Sequence, residues 1–230
     1  MSAKGLPEGA SDPFHTFGRG ISKFIVRPAF RVRVHGAERV PASGPVVFMA
    51  NHSSMAEPAL LFGMFSRRTA FLVKAELFKG FVGWFFPKLG QIPVKRGAVD
   101  RKPLMAAVKV LEDGGAVGIF PEGTRGLGDA ENFERGVAFL VRAGNATVVP
   151  VATRGTYKPA GAKRRWRPRV DILVGEPFTP AIGKGRTGLE EGTERLRIAL
   201  ADLVKALDEW RLEHGLPRHA TECEVSDDRA

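Results

Sequence analysis

Three groups of polar residues stand directly behind three apolar runs, and their types set what chemistry is open to the chain. The first is Asn51-His52-Ser53-Ser54-Met55-Ala56-Glu57-Pro58, after the run 45–50. The second is Gly90-Gln91-Ile92-Pro93-Val94-Lys95-Arg96, and the third is Phe120-Pro121-Glu122-Gly123-Thr124-Arg125-Gly126, at the end of 116–120. A histidine titrates near neutrality, which suits His52 to general-base work. Such a base needs a partner that fixes its tautomer, usually a carboxylate, and Glu57 follows five residues on. On a continuous helix that offset is a rotation of roughly 140°, which points the two side chains apart. Pro58 favours instead a helix that starts after Glu57, with a loop over 52–57 free to curl the pair together. The plainer alternative is that His52 satisfies loop backbone groups and Glu57 caps the helix. Lys95 and Arg96 place two cations behind the second run. Gly123-Thr124-Arg125 supplies a flexible turn, a hydroxyl and a guanidinium, and glycine-turn amides beside an arginine suit a phosphate. Each group alone also describes a solvated turn. Together, a base and an anion cradle at neighbouring strand ends have the layout of a transferase acting on a phosphorylated acceptor.

The elements that must hold these groups follow from periodicity. Residues 30–34 alternate with period two, as a half-buried strand does. Residues 45–50 are continuously apolar, as expected of a buried strand in a parallel sheet. Further strands are expected at 69–73, 90–94, 116–120, 147–152 and 170–174. Helices are expected at 76–87, 100–112, 133–143 and 188–213, with another after Pro58 through Leu60, Leu61 and Phe65. Ser11 or Asp12 caps an N-terminal helix over 11–28, with Pro13 in its first turn. Phe14, Phe17, Ile21, Phe24 and Ile25 share one face of it. That stripe either packs on the core or lies on a membrane as a basic amphipathic helix. Strands alternating with helices give a single α/β domain with a largely parallel mixed sheet flanked by helices. In such sheets ligands bind beyond the carboxyl ends of the strands. The expected organisation is a disordered N-terminus over 1–10, one domain over 11–214 and a mobile acidic tail over 215–230.

Charge narrows the ligand. The chain has 230 residues and a formal net charge of +10. Residues 1–170 carry 27 basic and 12 acidic side chains, whereas 171–230 carry 8 and 13. An excess on that scale calls for an anionic partner, and the first three quarters of the chain must meet it. One cysteine, Cys223, cannot form an internal disulfide. There is no signal-peptide pattern and no stretch of ~18 apolar residues, so the expected location is cytoplasmic, on the cytoplasmic face of a membrane.

The order of these groups resembles that of the 1-acyl-sn-glycerol-3-phosphate acyltransferases, also called lysophosphatidic acid acyltransferases. The resemblance rests on Asn51-His52-x4-Glu57-Pro58, Gly90-x-Ile92-Pro93-Val94-Lys95-Arg96, Phe120-Pro121-Glu122-Gly123-Thr124-Arg125 and Val148-Val149-Pro150-Val151, and covers roughly 30–175. It implies that His52 removes a proton from a lysophospholipid hydroxyl, which attacks the thioester of acyl-CoA or acyl-carrier protein. The implied product is phosphatidic acid, from the free sn-2 hydroxyl of 1-acyl-glycerol-3-phosphate. Arg96, Arg125 and Lys74 would hold the acceptor phosphate. Glu122, with Gly123 and Thr124, would anchor the third motif and an acceptor hydroxyl, and Pro150 would shape the floor near the thioester. No metal and no cofactor beyond the acyl donor is implied. Two departures stand out: Glu57 replaces the family's Asp, reaching roughly 1.5 Å further, and Gly126 stands where Ser is common. Alternatives are a different lysolipid or glycolipid acceptor, or a non-catalytic phospholipid-binding relative.

Two further features bear on partners. Phe78, Phe81, Trp84, Phe85 and Phe86, beside Lys79 and Lys88, suit an interfacial patch, with about half of the aromatics in the core. The stretch from Arg154 to Arg169 holds seven basic residues and no acid, interleaved with Tyr157 and Trp166. Alone it looks like a nucleic-acid patch. No nucleic-acid module accompanies it, so lipid headgroups, CoA phosphates or an acidic carrier protein are the expected partners.

Overall fold

The computed structural model describes residues 5–95, 101–123, 127–130, 133–134, 136–158 and 166–217. Seven strands form one sheet: β1 (Arg31–His35), β2 (Val46–Ala50), β3 (Thr69–Lys74), β4 (Ile92–Val94), β5 (Ala116–Ile119), β6 (Thr147–Arg154) and β7 (Arg169–Val174). Their spatial order is β1-β7-β6-β2-β5-β3-β4. Every pairing is parallel except β6 with β7. The helices are α1 (Asp12–Ile21), α2 (Ala56–Met64), α3 (Gly80–Lys88), α4 (Lys102–Glu112), α5 (Gly136–Ala143) and α6 (Gly185–Glu213). All seven expected strands are present, and their ends shift by only one or two residues.

The sheet is buried on both faces, which is why β2 reads as five apolar residues and buries all five. Val47 and Met49 pack with α4, α5 and α6, whereas Val46, Phe48 and Ala50 pack with α2. Gly118 in β5 sits under the Phe71 ring, and a Cβ there would lie 2.4 Å from it, so the central strands close only around glycine. Strands β2 to β6 run in one direction and deliver their carboxyl ends to one edge. The antiparallel β6–β7 step brings the starts of β7 and β1 to that same edge.

Three expectations change. Residues 5–10 fold back on the domain: Leu6 and Ala10 are 4% and 5% exposed and pack together, and Gly5 meets the Gly115 backbone. Helix α2 starts at Ala56 rather than after Glu57, which places the Glu57 carboxylate in its first turn, where the helix dipole favours an anion. Helix α1 runs on through a π-helical turn, Ser22–Val26, and a 3-10 turn, Arg27–Ala29, and its buried face is turned roughly 100° from the apolar stripe. Its buried residues are His15, Gly18 and Ser22. Phe17, Phe24 and Ile25 face outward at 60%, 72% and 67% exposure. Small residues allow this close crossing: a Cβ on Gly63 of α2 would lie 2.2 Å from Ser22 Oγ. Ser22 Oγ donates to the Ala59 carbonyl, and Arg19 donates to the Phe65 carbonyl.

Candidate active site

The chain leaving β2 is clamped before it turns. The Asn51 side chain is fully buried; its Nδ2 donates to the carbonyls of Gly128 (2.9 Å) and Thr153 (3.1 Å), and its Oδ1 accepts from Thr153 N at 2.7 Å. Next, the His52 amide donates to Glu122 Oε1 at 2.9 Å, which ties the first motif to the third. Phe120 lies against the His52 ring, centroids 4.5 Å apart.

Because His52 precedes α2 instead of lying on it, the helical divergence does not apply, and the loop curls the pair together. His52 Nδ1 lies 2.9 Å from Glu57 Oε2, and both side chains are buried. Three further donors fix the carboxylate: Ser53 N to Oε2 (2.8 Å), Ser53 Oγ to Oε1 (2.6 Å) and Thr156 Oγ1 to Oε1 (2.5 Å). A carboxylate only accepts, so Nδ1 donates to it and Nε2 keeps the lone pair.

His52 borders a cleft of about 970 Å³ at the carboxyl edge of the sheet. Lys74, Lys95, Gly123 and Glu134 line its polar part; Ile21, Val26, Phe62, Leu72, Phe85 and Phe86 line the rest. A polar end beside a long apolar wall suits an amphiphile. Gly123 adopts φ +67°, and a Cβ there would lie 2.9 Å from Glu134 Oε1. Burial pushes the Glu122 carboxyl up to about 7, against the pull of the His52 amide; Glu57 and Asp129 add to the rise and Arg154 opposes it.

Of the expected site residues, the structure therefore gathers His52, Glu57, Lys74, Glu122 and Gly123. Arg96, Thr124 and Arg125 lie outside the described residues. Pro150 lies within β6 with Gly175 packed on it and does not line the cleft. Arg154, expected to face headgroups, is among the largest fully buried side chains. It pairs with Asp208 of α6 (Nε to Oδ1, 2.7 Å) and Asp129 (2.6 Å) and donates to the carbonyls of Leu127 and Gly128. Lys95, one of the two cations expected behind the second run, lines the cleft, and Thr156, which the sequence did not single out, completes the site. Lys95 was visible as one of two adjacent cations; Thr156, 99 residues from Glu57 along the chain, left no local signal.

A family model described as "Acyltransferase" matches residues 31–154, more than half of the chain. A 1-acyl-sn-glycerol-3-phosphate acyltransferase of Bacillus subtilis is 30% identical over 186 residues, covering 77% of this chain and 90% of that protein. This chain belongs to the 1-acyl-sn-glycerol-3-phosphate acyltransferase family. A Chlamydomonas reinhardtii member is 31% identical over 163 residues, with 66% of this chain matching 48% of that longer protein. The crystal structure of the acyltransferase PlsC from Thermotoga maritima superposes with a TM-score of 0.63 at 25% identity, covering 85% of this chain and 78% of that one. The chain is an acyltransferase acting on a glycerolipid or lysophospholipid acceptor with an acyl-thioester donor. Among the described residues no helix is long and apolar enough to cross a membrane.

Proposed function

We propose that this acyltransferase moves a fatty acyl group from acyl-CoA or acyl-carrier protein to the sn-2 hydroxyl of 1-acyl-glycerol-3-phosphate, giving phosphatidic acid. The observation that carries the reading is the 2.9 Å His52–Glu57 contact beside an amphiphile-shaped cleft. His52 Nε2 takes the hydroxyl proton as the oxygen attacks the thioester carbonyl. The tetrahedral intermediate then expels the thiolate, which takes the proton back from His52. Glu57 keeps Nδ1 protonated and stabilises the imidazolium formed in between. Glu122 holds the His52 backbone. Lys74, Arg96 and Arg125 hold the acceptor phosphate, with Gly123 and Thr124 shaping the turn. The outward stripe of α1 and the exposed Phe81 and Trp84 of α3 support work at a bilayer from the cytoplasmic side, with Lys88 over the Phe14 and Trp84 rings at the join of α1 and α3.

Purified protein assayed over a panel of lysolipids and both donor types, read by mass spectrometry, tests this. Phosphatidic acid should form from lysophosphatidic acid, and Glu57→Ala should lower kcat by roughly 10²–10⁴. Thiol release that ignores lysophosphatidic acid would remove the acceptor; undiminished turnover in Glu57→Ala would remove the dyad.

A further inference from the structure

A second cavity, of about 800 Å³, lies at the corner where β1 and β7 begin, α6 ends and the turns after α1 pass. Among the described residues that line it there is no carboxylate, and seven are cations. Two are committed: Arg169 (3.2 Å) and Arg211 both pair with Asp171 beneath. The other five, Lys23, Arg27, Arg31, Arg33 and Arg167, are exposed, and none forms an ion pair among the described residues.

The cavity adjoins the catalytic cleft on two sides. Within one stretch of helix, Ile21, Ser22 and Val26 line the cleft, whereas Lys23 and Arg27 line this cavity. Within β6 and its exit, Gly155 lines the cavity and the next residue, Thr156, bonds Glu57. Gathering five like charges on one concave wall is unfavourable until anions arrive. Arginine forks match phosphate oxygens in pairs. Trp166, 91% exposed on the rim, offers a flat face for stacking. The volume falls in the usual range for a small-molecule site.

We propose that this cavity binds clustered phosphate groups, apart from the cleft where the acceptor reacts. Two sources share that chemistry: the nucleotide end of a CoA thioester, with its 3′-phosphate and diphosphate, and the headgroups of an anionic bilayer. The nucleotide source rests on the acyl-transfer reading above; the phosphate site does not.

Two probes at low salt distinguish them: calorimetric titration of 3′,5′-ADP and cosedimentation with phosphatidylglycerol vesicles. Each is applied to the parent, to Lys23→Ala/Arg27→Ala, to Arg31→Ala/Arg167→Ala and to Lys74→Ala. A nucleotide source should give saturable 3′,5′-ADP binding, weakened at least about tenfold by either pair and kept in Lys74→Ala, with vesicle binding of the Arg31/Arg167 pair unchanged. A lipid source should give no nucleotide binding and vesicle binding lost in both pairs but kept in Lys74→Ala. No binding of either probe by the parent, or equal binding by parent and both pairs, overturns the site. Arg31 Nε donates to the Arg167 carbonyl, so that pair alters a structural bond; among the described residues Lys23 and Arg27 make no such bond and keep the test open if the first pair misfolds. Acyl transfer by the parent with neither probe bound removes the site and leaves the acyl-transfer reading. Probe binding without transfer does the reverse.

Discussion

Glu57 carries one methylene more than the family's usual Asp, and the structure uses the extra reach. Its Oε1 meets Ser53 Oγ and Thr156 Oγ1 while Oε2 meets His52. A carboxylate withdrawn by about 1.5 Å cannot hold Thr156 and His52 together. Glu57→Asp should lower kcat by about 100-fold. Thr156→Val, which removes one donor and leaves the dyad in place, should lower kcat by about 10- to 100-fold with little change in acceptor KM, and Thr156→Ser should restore it. A KM effect without a kcat effect would place Thr156 in substrate binding instead. His52 and its carboxylate were legible because both lie within one short motif. Thr156 and the Asn51 clamp on Thr153 were not, since contacts across 99 and 102 residues depend on strand order.

Strands were easier to read than the face a helix presents. The run 45–50 and the alternation of 30–34 located β2 and β1 almost to the residue, because burial on both faces or one leaves distinct periods. For α1 the stripe was legible but its direction was not. Apolar residues at helical spacing mark a face, and here the core takes the adjacent one, roughly 100° round, through His15, Gly18 and Ser22, while Phe14 at the edge of the stripe still packs inward. The deciding residue is Gly18, where a Cβ would lie 2.6 Å from Leu89. If the stripe is a bilayer anchor, Phe17→Ser, Phe24→Ser and Ile25→Ser combined should leave the melting temperature nearly unchanged and abolish cosedimentation with anionic vesicles. Transfer to lysophosphatidic acid in vesicles should fall with it. Undiminished vesicle binding in the triple variant would mean that the stripe faces something else.

At the scale of the molecule, buried His15 and half-buried Glu122 give stability opposite slopes against pH. Burial pushes the His15 imidazole down to about 4, with Arg19 and Arg68 adding to the fall while the Thr69 carbonyl and Asp12 oppose it. The unfolded chain then binds more protons, so this contribution is full above pH 6.5 and is lost as pH falls toward 4. Glu122, raised to about 7, does the reverse: the folded state holds the extra proton, and stability drops as pH rises from about 4.5 to 7. Melting curves from pH 4 to 8 should show Glu122→Gln gaining on the parent as pH rises, and His15→Gln gaining as pH falls. Parallel curves would deny both assignments. The ion pairs of Arg154 carry a different consequence. The family match ends at Arg154, yet that guanidinium is neutralised by Asp208, fifty-four residues on, in the more acidic last quarter of the chain. Cutting the protein at that edge would remove one of the two carboxylates on Arg154, leaving Asp129, and would strip the buried Leu196, Leu200, Val204 and Leu207 of α6 from the sheet. The segment that the family model matches therefore draws part of its core and part of its charge balance from a helix beyond it, and Arg154, paired with Asp208 and bonded to the Leu127–Gly128 loop that Asn51 also grips, links α6 to the active site.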